Sequence, residues 1–485
     1  MMTTASPAID ELPKDVQEMI ARTRKNPISL FSEMYMQIFK AAPDVMVQTI
    51  HGEVKGHLLF VISVKIGDVL IEGAPHRTKK VAKLDCFVKG IKVLCEKFAM
   101  DVAKSAEDLE FKQESTFFEL LRKHTYAKFY EFGVASPEII GSEKVIASIF
   151  LVTRSAEGSC AEIVSLATGN KGLRGDMLSL HGKAVHDCHA EIIARRGLLR
   201  FLYAQVLLYT QDPLKSIFAR TNAGKLTLRK GLSFHMFVNT APCGDSRAYV
   251  INDETLQVNG EAENKSMLRF KVENGMGTIL GRHPETLAPQ TIDGIAGGER
   301  LRTMSCSDKI MRWNVLGVQG CLLSLIVEPI YLSSIAVAEK ADKCRLERAL
   351  YRRVEEFVPP APFHVNKPYI GHCQVAPTLR ETSIGSTISV NWNMADDSLE
   401  ILKTFTGRTE KDKEPSRLSR GQFASLFRRV CSDLGKPVPQ TFTYENMKVQ
   451  CQAYEEGKSS LEAWLREKKL GMWQWKPEEV SMFTA

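Results

Sequence analysis

The sequence predicts an α/β protein in which a small module of helices and strands precedes one large α/β domain. Three observations support this fold class: apolar residues at helical spacing from Ile28 to Ile38, a charged stretch near residue 110, and alternating strands and helices after it. The chain has 485 residues, 44% hydrophobic and 25% charged. That profile is typical of globular chains with two or three domains.

Composition narrows the class of function. The net charge of +7 permits a nucleic-acid partner without requiring one. The 11 cysteines are odd in number and form no close framework, which favours a reducing compartment with metal-binding or buried thiols. The first residues lack the apolar core of a signal peptide, and no block of basic residues suggests an import signal. The apolar stretch from Leu322 is interrupted by Glu328 and Pro329, which predicts buried sheet and helix and no membrane span.

Residues 1–24 are polar and are expected to form a tail. The module then spans 25–100, where 11 Lys and Arg exceed 7 Asp and Glu. "LLFVISVKIGDVLIEG" predicts two strands joined by a turn at Gly67-Asp68, and "TKKVAKLDCFVKGIKVLCEKF" predicts an amphipathic helix that begins with lysines.

This module resembles a double-stranded RNA-binding domain of α-β-β-β-α order, through "KNPISL", "GHLLFVISVKIGDVLIEG" and "KKVAK". The resemblance implies that the loop at His57 reaches a minor groove and that Lys79, Lys80 and Lys83 hold phosphates across the adjoining major groove. A helix N-terminus favours such anions. The usual Gly-Pro before the histidine is replaced by "EVKGH". The alternative for the lysines is a solvated face.

The sequence predicts a charged linker at residues 101–114 and one large domain over residues 115–485. Its predicted strands include "SIFLVTR", "AEIVSLATG" and "SFHMFVNT".

Three short stretches carry the chemistry: "CHAE", "APCGDSR" and "MSCSDKIMRWN". Each places a potential zinc ligand, His189, Cys243 or Cys306, at the start of a predicted helix, where the dipole favours thiolate. Three protein ligands leave the fourth tetrahedral position open, as in catalytic zinc sites. Glu191 is not needed as a ligand, and in zinc deaminases a glutamate so placed shuttles protons. The alternative is that these residues are unrelated.

The second cysteine that usually follows two residues after the first is replaced by Ser246, so the last ligand must come from "SCSDK". That arrangement resembles the adenosine deaminases acting on RNA and their tRNA-specific relatives. "SLATGNKG", "RFKVENGMGTI", "SVNW" and "GMWQWKP" extend the resemblance over nearly all of 115–485. It implies a zinc-dependent, deaminase-like α/β/α domain that converts adenosine to inosine in double-stranded RNA. A tRNA adenosine deaminase and an inactive RNA-binding relative are the alternatives.

The resemblance also implies how substrate is held. The target nucleotide must leave the duplex, and the loop that enters the vacated space would contain Gly275, Met276 and Gly277. Met276 stands where the family usually has glutamate. A hairpin turn with a surface methionine is the alternative. The remaining residues implied to face RNA are Asn170, Lys171, Arg247, Arg269 and Arg300, each of which could equally be solvated.

Arg196 falls on the apolar face of the helix that follows His189, and no acidic residue lies at matching helical spacing. A buried guanidinium needs a partner. The alternatives are a distant carboxylate or, by the resemblance, a buried inositol hexakisphosphate. The positions implied to line that ligand are Arg195, Arg196, Lys309, Arg312, Trp313, Gln319, Arg420, Tyr444, Lys448, Tyr454, Lys458, Trp473 and Lys476. Asp187 and Lys309 would relay hydrogen bonds to the zinc site. His186, Cys321 and Trp475 differ from the commonest family pattern.

We expect double-stranded RNA as a partner and no membrane. Family members often pair, so a second copy or a related deaminase-domain protein is a further expectation. The sequence has no evident import signal, so we expect an accessory protein to carry the chain to the nucleus. The nucleus is the expected location, and the cytoplasm is an additional expected location.

Overall fold

The computed structural model describes residues 28, 31–32, 35, 42–51, 58–103, 114–155, 158–247, 267–273, 277–281, 289–373, 386–409 and 414–484. The chain divides into two compact units. The first is Met1–Leu109 with Lys123–Lys144 and Val375–Ile384, and the second is Glu110–Arg122 with Val145–Gln374 and Gly385–Ala485. The predicted α/β class is confirmed. Domain boundaries at 25, 101 and 115 stay a prediction, because a compact unit need not be an independently folding domain.

The first unit contains an antiparallel sheet of order β1-β2-β3 and the helix α1. Their bounds are β1 Val45–His51, β2 Leu58–Ile66, β3 Val69–Glu72 and α1 Lys79–Ala103. β2 and β3 join through the predicted turn at Gly67, whose φ is 60°. The helix that begins with lysines is confirmed. It continues to Ala103, past the predicted start of the linker.

The core of this unit follows the two periodicities of strand and helix. Ile62, Val64 and Ile66 alternate along β2 and are buried with Phe31 and Phe87. Described residues near the start of the chain, Ile28, Phe31, Ser32 and Tyr35, are helical. Gly90 lies within α1, where a Cβ would approach the Phe31 ring to 2.4 Å. The glycine is therefore required for this packing, despite its unfavourable helix propensity.

The second unit is built on an eight-stranded mixed sheet. In spatial order its strands are β13 Tyr369–His372, β12 Leu332–Glu339, β8 Leu232–Thr240, β4 Ile146–Ser155, β5 Gly158–Thr168, β14 Ile388–Asn393, β15 Glu400–Lys403 and β16 Arg408–Thr409. β12 pairs in parallel with β8 and β13, and the other pairs are antiparallel. β8 is buried over seven successive residues and β4 over its first seven, which is typical of strands covered on both faces.

Smaller elements and helices complete the fold. A sheet of order β10-β9-β11 and a β6-β7 hairpin are formed by β6 Phe218–Arg220, β7 Leu226–Leu228, β9 Arg269–Val272, β10 Ile279–Leu280 and β11 Arg302–Met304. The remaining helices are α2 Glu114–Ala135, α3 Ala190–Gln211, α4 Ile292–Ala296, α5 Cys306–Leu316, α6 Gly320–Ser324, α7 Lys343–Leu350, α8 Arg420–Asp433, α9 Tyr444–Val449 and α10 Gln452–Glu467. The apolar stretch from Leu322 is divided between α6 and β12. Among the described residues, no helix has the length and apolar character to cross a membrane.

Candidate metal centre and buried cation cluster

Three side chains distant in sequence meet at one point. The Nδ1 atom of His189 lies 3.8 Å from the Cys243 sulfur, and a ligand atom from each of His189, Cys243 and Cys306 lies within 4.8 Å of the others. One imidazole and two thiols match the donor set of zinc. Among the described residues, no other group of three or more His, Cys, Asp or Glu could hold a metal ion in this way.

Two ligands lie at helix starts, as predicted, and the third does not. His189 is the N-cap of α3 and Cys306 is the first residue of α5. Cys243 instead follows β8 and precedes a three-residue 3-10 turn, Asp245–Arg247. Gly244, with φ of 109°, reverses the chain there, and a Cβ on it would lie 2.3 Å from Ser305 Oγ.

Hydrogen bonds hold the loop that contains Cys243 against α5. The amide and the hydroxyl of Ser307 both donate to the Cys243 carbonyl, at 3.0 and 2.9 Å. The Cys306 amide donates to the Cys243 sulfur at 3.3 Å. The thiol of Cys306 also hydrogen-bonds to Cys243, which holds the pKa of Cys243 well below its usual range. Such a thiol is favoured as the thiolate that binds metal.

Glu191 lies in the first turn of α3 and is 2% exposed. Its Oε2 atom is buried without a hydrogen-bond partner among the described residues. Burial raises the pKa of this carboxyl group above its usual value. A buried carboxylate with one free oxygen beside metal-binding side chains is suited to take up and release a proton.

Asp187 is the centre of a charged network behind the ligands. Its Oδ1 accepts from the His189 amide at 3.2 Å, while its Oδ2 accepts from Lys309 and, at 2.7 Å, from Lys271. Burial opposes ionisation, but Lys271 and Lys309 outweigh it and hold the pKa of Asp187 well below its usual range. The Lys271 ammonium also lies 3.8 Å from the Cys306 sulfur.

Lys271 was missed from the sequence. The available signal was its place two residues after Arg269, which puts both side chains on one face of β9. Its partner Asp187 is 84 positions away, so no local spacing connects them.

A second buried pair fixes the position of Cys306. The carboxylate of Asp308 pairs with Arg353 at 2.5 Å, and both side chains are fully buried. The other oxygen of Asp308 accepts from the Arg269 amide at 2.8 Å and from the Ser305 hydroxyl at 2.7 Å. Asp308 therefore ties strand β9 to the start of α5. No spacing or motif in the sequence singled out this pair.

The residues predicted to face RNA differ in exposure. Lys171 and Arg300 are exposed, whereas Asn170, Arg247 and Arg269 are half-buried. Asn170 Oδ1 and the Nε atoms of Arg247 and Arg269 are buried and have no partner among the described residues. Gly277, with φ of 80°, is described. His57, Gly275 and Met276 lie outside the described residues. The RNA-facing role of all these residues stays a prediction.

Several predicted lining residues of the inositol phosphate site lie close together. Arg195 lies over Trp313 at 5.6 Å, Arg312 over Trp473 at 4.0 Å, and Arg420 over Tyr444 at 5.9 Å. The Nε atoms of Arg195 and Arg196 donate to the carbonyls of Val318 and Leu418. No described carboxylate lies within 4.0 Å of the guanidinium of Arg195, Arg196 or Arg312. We call the cations Arg195, Arg196, Lys309, Arg312, Arg420 and Lys476 the cation cluster.

The electrostatics of the cation cluster are unfavourable within the protein itself. Desolvation, together with Arg420 and Arg195 and against the opposing effect of Tyr444, lowers the pKa of Arg196 to about 10. Desolvation and the neighbouring Lys309 hold the pKa of Lys476 well below its usual range. Arg312 has two buried nitrogens, Nε and Nη1, without a partner among the described residues.

Other predicted lining residues have partners within the protein. Lys448 pairs with Glu445 at 2.8 Å, and Lys458 pairs with Glu455. The side-chain amide of Gln319 donates to the Leu316 carbonyl and accepts from the Ile330 amide. Tyr454 is buried edge-on to Phe363.

Of the three positions that differ from the family pattern, Cys321 and Trp475 hydrogen-bond to glutamates, whereas His186 Nε2 is buried without a partner among the described residues. Cys321 donates to Glu455 at 3.4 Å, and the Trp475 indole donates to Glu462 at 3.1 Å. Burial and the nearby cations Arg420 and Lys476 hold the pKa of His186 well below its usual range, which favours the neutral imidazole.

Comparison with known proteins agrees with this geometry. The family model described as adenosine-deaminase (editase) domain matches residues 165–477. The chain is 38% identical over 366 residues to the double-stranded RNA-specific adenosine deaminase of Mus musculus. The aligned region covers 72% of this chain and 31% of that protein. It is 32% identical over 479 residues to the double-stranded RNA-specific editase Adar of Drosophila melanogaster, with 95% and 69% covered. It is also 32% identical over 438 residues to the double-stranded RNA-specific editase B2 of Mus musculus, with 87% and 58% covered. The chain thus spans less than a third of the first relative and about two thirds of the second, and it belongs to the adenosine-deaminase (editase) family.

Proposed function

We propose that this chain is an RNA-editing enzyme that hydrolyses adenosine to inosine, with release of ammonia, in double-stranded RNA. The observation that carries the proposal is the close approach of His189, Cys243 and Cys306 beside the buried Glu191 carboxylate. The names of the related proteins support the choice of adenosine and of duplex RNA. A zinc ion held by these three side chains would supply Lewis-acid activation of a water nucleophile at neutral pH.

The chain's own residues have separate tasks in this reaction. Glu191 accepts a proton from the attacking water and delivers protons toward the departing amine, a role that its raised pKa supports. Lys271 lies against both Asp187 and Cys306, so it neutralises negative charge behind the ligands. Asp308 holds the segment of Cys306 in register with β9.

Substrate must be extruded from the duplex to reach these groups. We assign the extruded nucleotide to the side of Asn170 and Lys171, because backbone hydrogen bonds join their segment to the ligand helix. The Cys188 amide donates to the Lys171 carbonyl at 3.0 Å, and the Ala190 amide donates to the Gly169 carbonyl at 2.9 Å. The buried, unpartnered Oδ1 of Asn170 provides an acceptor for a sugar hydroxyl. The base-flipping loop would be 273–278, as the sequence resemblance implies.

We further propose that residues 25–100, within the first unit, form a double-stranded RNA-binding domain. Lys79 and Lys80 are exposed in the first turn of α1, which contains no acidic residue. No carboxylate in the described part of the chain pairs with Lys79, Lys80 or Lys83, which supports a role in binding phosphates, and Lys79 and Lys83 also lie over the rings of Phe60 and Phe87. This module argues against a tRNA-specific enzyme, the first alternative.

The cation cluster supports a buried inositol hexakisphosphate. Its groups are hydrogen-bond donors, and Arg312 has two such donors without a partner. Phosphate oxygens accept several charge-assisted hydrogen bonds each, so one polyphosphate would satisfy many cations at once. Mass spectrometry of the denatured protein tests this directly: an active enzyme without inositol phosphate would contradict the proposal.

The test of the main proposal is sequencing of a duplex RNA after incubation with purified protein. We expect adenosine-to-guanosine changes with the wild-type protein and none with Glu191→Ala. Binding without any such change would favour the inactive RNA-binding alternative. Nuclear location, pairing with another chain and an import partner remain part of the proposal as the sequence predicted them.

A further inference from the structure

Two thiols meet where α6 packs against α9 and α10. Cys321 lies in α6, and Cys451 is the N-cap of α10. The Cys321 sulfur lies 3.7 Å from the carbonyl oxygen of Lys448, and the Cys451 sulfur lies 3.7 Å from that of Met447, the preceding residue of α9. The two sulfurs therefore lie against adjacent carbonyls of one helical turn, although their residues are far apart in sequence.

The two thiols also contact each other and differ in exposure. Cys321 and Cys451 are in hydrogen-bond contact, and both are free thiols in this structure. Cys321 is half-buried and accessible to small molecules from solvent, whereas Cys451 is 3% exposed. An accessible thiol beside a second thiol is the arrangement in which oxidation of the first leads to a disulfide with the second.

The contact joins two elements that border the cation cluster. Gly320, directly before Cys321, lies against Arg195, because a Cβ on Gly320 would be 2.4 Å from the Arg195 guanidinium. Glu455, a residue of α10, accepts from the Cys321 thiol at 3.4 Å. A covalent bond between Cys321 and Cys451 would therefore fix the segment behind Arg195 to the start of α10.

We propose that Cys321 and Cys451 form a reversible oxidation site, which a peroxide converts to a disulfide that links α6 to α10 beside the cation cluster. The Cys321 sulfur first attacks one peroxide oxygen, the O–O bond breaks, and the departing hydroxide takes the thiol proton as water. The Cys451 sulfur then displaces hydroxide from the Cys321 sulfenic acid, and its proton completes a second water. Two thiols are oxidised and one peroxide is reduced. A dithiol reductant restores both thiols, so the disulfide is transient in a reducing compartment.

The protonation of Cys321 controls the rate of the first step, because the thiolate is the nucleophile. Contact with Cys451, burial and the charge of Glu455 raise the pKa of Cys321 well above its usual value, against the opposing effect of Lys448. Cys321 is therefore a thiol at neutral pH. We expect slow oxidation at pH 7 and about 10-fold faster oxidation at pH 8, as the thiolate fraction increases.

The test is peptide mapping of the whole chain after oxidation. Reduced protein is treated with hydrogen peroxide, free thiols are alkylated in denaturant, and the protein is digested without reduction. We expect one peptide pair joined through Cys321 and Cys451, lighter by two hydrogen atoms than the separate thiol peptides, which dithiothreitol separates. Cys321 found only as an oxyacid, or Cys451 joined to the nearby Cys431, would overturn the inference. So would Cys321 left as a thiol while the exposed Cys344 is oxidised.

Matched variants assign the two thiols. Cys451→Ser leaves the Cys321 sulfenic acid without a partner, so Cys321 should form an adduct with dimedone and the linked peptides should disappear. Cys321→Ser keeps a hydroxyl donor and should leave Cys451 reduced at the same peroxide dose, because Cys451 is buried. Cys344→Ser changes an exposed cysteine of α7 and should give the same linked peptides as the wild type. Linked peptides that persist in Cys451→Ser would exclude Cys451 as the partner.

One consequence of the disulfide rests on the proposed function. If an inositol phosphate occupies the cation cluster, oxidation should slow its release in urea about 10-fold, because α6 and α10 can no longer separate. Mass spectrometry of the released ligand measures this, and equal release from oxidised and reduced protein would show that the disulfide does not close the site. A protein without inositol phosphate would contradict the proposed cofactor, whereas the peptide map decides on the disulfide in either case.

Discussion

The carboxylate of Asp187 lies 2.7 Å from the ammonium of Lys271, and the two side chains are only 6% and 14% exposed. The same ammonium reaches the sulfur of Cys306. Residues that hydrogen-bond to metal ligands orient them and tune their basicity. Lys271 therefore belongs to the proposed metal centre even though it is not one of the three candidate ligands.

The first prediction follows from that contact. Lys271→Met keeps the apolar stem and removes the charge, so it should lower zinc affinity about 10- to 100-fold, as loss of outer contacts does at other metal sites. Competition with a chelator measures this. Lys215→Met, which changes an exposed lysine paired with Asp212, is the control. Unchanged zinc retention in Lys271→Met would show that Asp187 needs only Lys309.

The second prediction separates chemistry from metal binding. Glu191→Gln should reduce the deamination rate at least about 100-fold, because general acid–base catalysis contributes that much or more. Zinc content should stay at the wild-type value, since His189, Cys243 and Cys306 are unchanged. Metal analysis and single-turnover kinetics on the same preparation check both statements, and an active variant would contradict the assigned role.

Helices, strands and ligand types were predictable because they depend on local periodicity and on short motifs. The position of Cys243 before a 3-10 turn was not, because it depends on the contact of Gly244 with Ser305, 61 positions later in the chain. The sequence also led to an overestimate of uncompensated charge. Eight cations were implied to line the site, but Lys448 and Lys458 pair with glutamates three residues earlier, and Lys309 pairs with Asp187. The two glutamates were visible at helical spacing, and the family resemblance had already implied hydrogen bonds through Lys309 and Asp187.

The third prediction uses the size of a stability change to test for the buried anion. Arg196 is desolvated and lies near Arg420 and Arg195. If phosphates bind there, Arg196→Met strands their oxygens and should lower the free energy of unfolding by about 2 kcal/mol. If none bind, relief of repulsion opposes the loss of the Nε hydrogen bond to the Leu418 carbonyl, and the free energy of unfolding should change by less than about 1 kcal/mol. Thermal unfolding distinguishes the two outcomes.

The control for that measurement is on the surface of α8. Arg429 is exposed on the helix that begins with Arg420. Arg429→Met should change the free energy of unfolding by no more than about 0.5 kcal/mol, as is usual for exposed positions.

The fourth prediction concerns duplex binding by the first unit. Replacing Lys79, Lys80 and Lys83 together with alanine should weaken binding to duplex RNA and reduce the slope of log affinity against log salt by up to about 3. Lys89→Ala is a control, because Lys89 already pairs with Asp85 at 3.0 Å. A salt series by fluorescence anisotropy measures the slope. Unchanged affinity and slope would assign the unit another purpose, such as contact with a protein.

The fifth prediction concerns the stability of the protein at acid pH and His235, which has no assigned role at the metal centre. His235 is 5% exposed, with its Nδ1 atom 2.7 Å from Ser334 Oγ and its Nε2 atom 2.9 Å from Ser233 Oγ. The ring of Phe117 packs edge-on at 5.1 Å. Burial, with a smaller effect of Arg154, lowers the pKa of His235 to about 4. The native protein therefore favours the neutral imidazole, while the unfolded chain takes up a proton near pH 6.5.

The sign of the pH effect follows from this difference. Because the unfolded state binds the proton first as pH falls, the contribution of His235 to stability is complete above pH 6.5 and is lost progressively toward pH 4, to a total of about 3 kcal/mol. Between pH 7.5 and pH 5, the urea midpoint of the wild type should therefore fall more than that of His235→Gln, by a free energy of about 2 kcal/mol. Acid effects on the metal centre are common to both proteins and cancel in the comparison. The exposed His372→Gln should shift like the wild type. Parallel midpoints in wild type and His235→Gln would mean that the imidazole is already protonated in the native state, with both serines acting as acceptors.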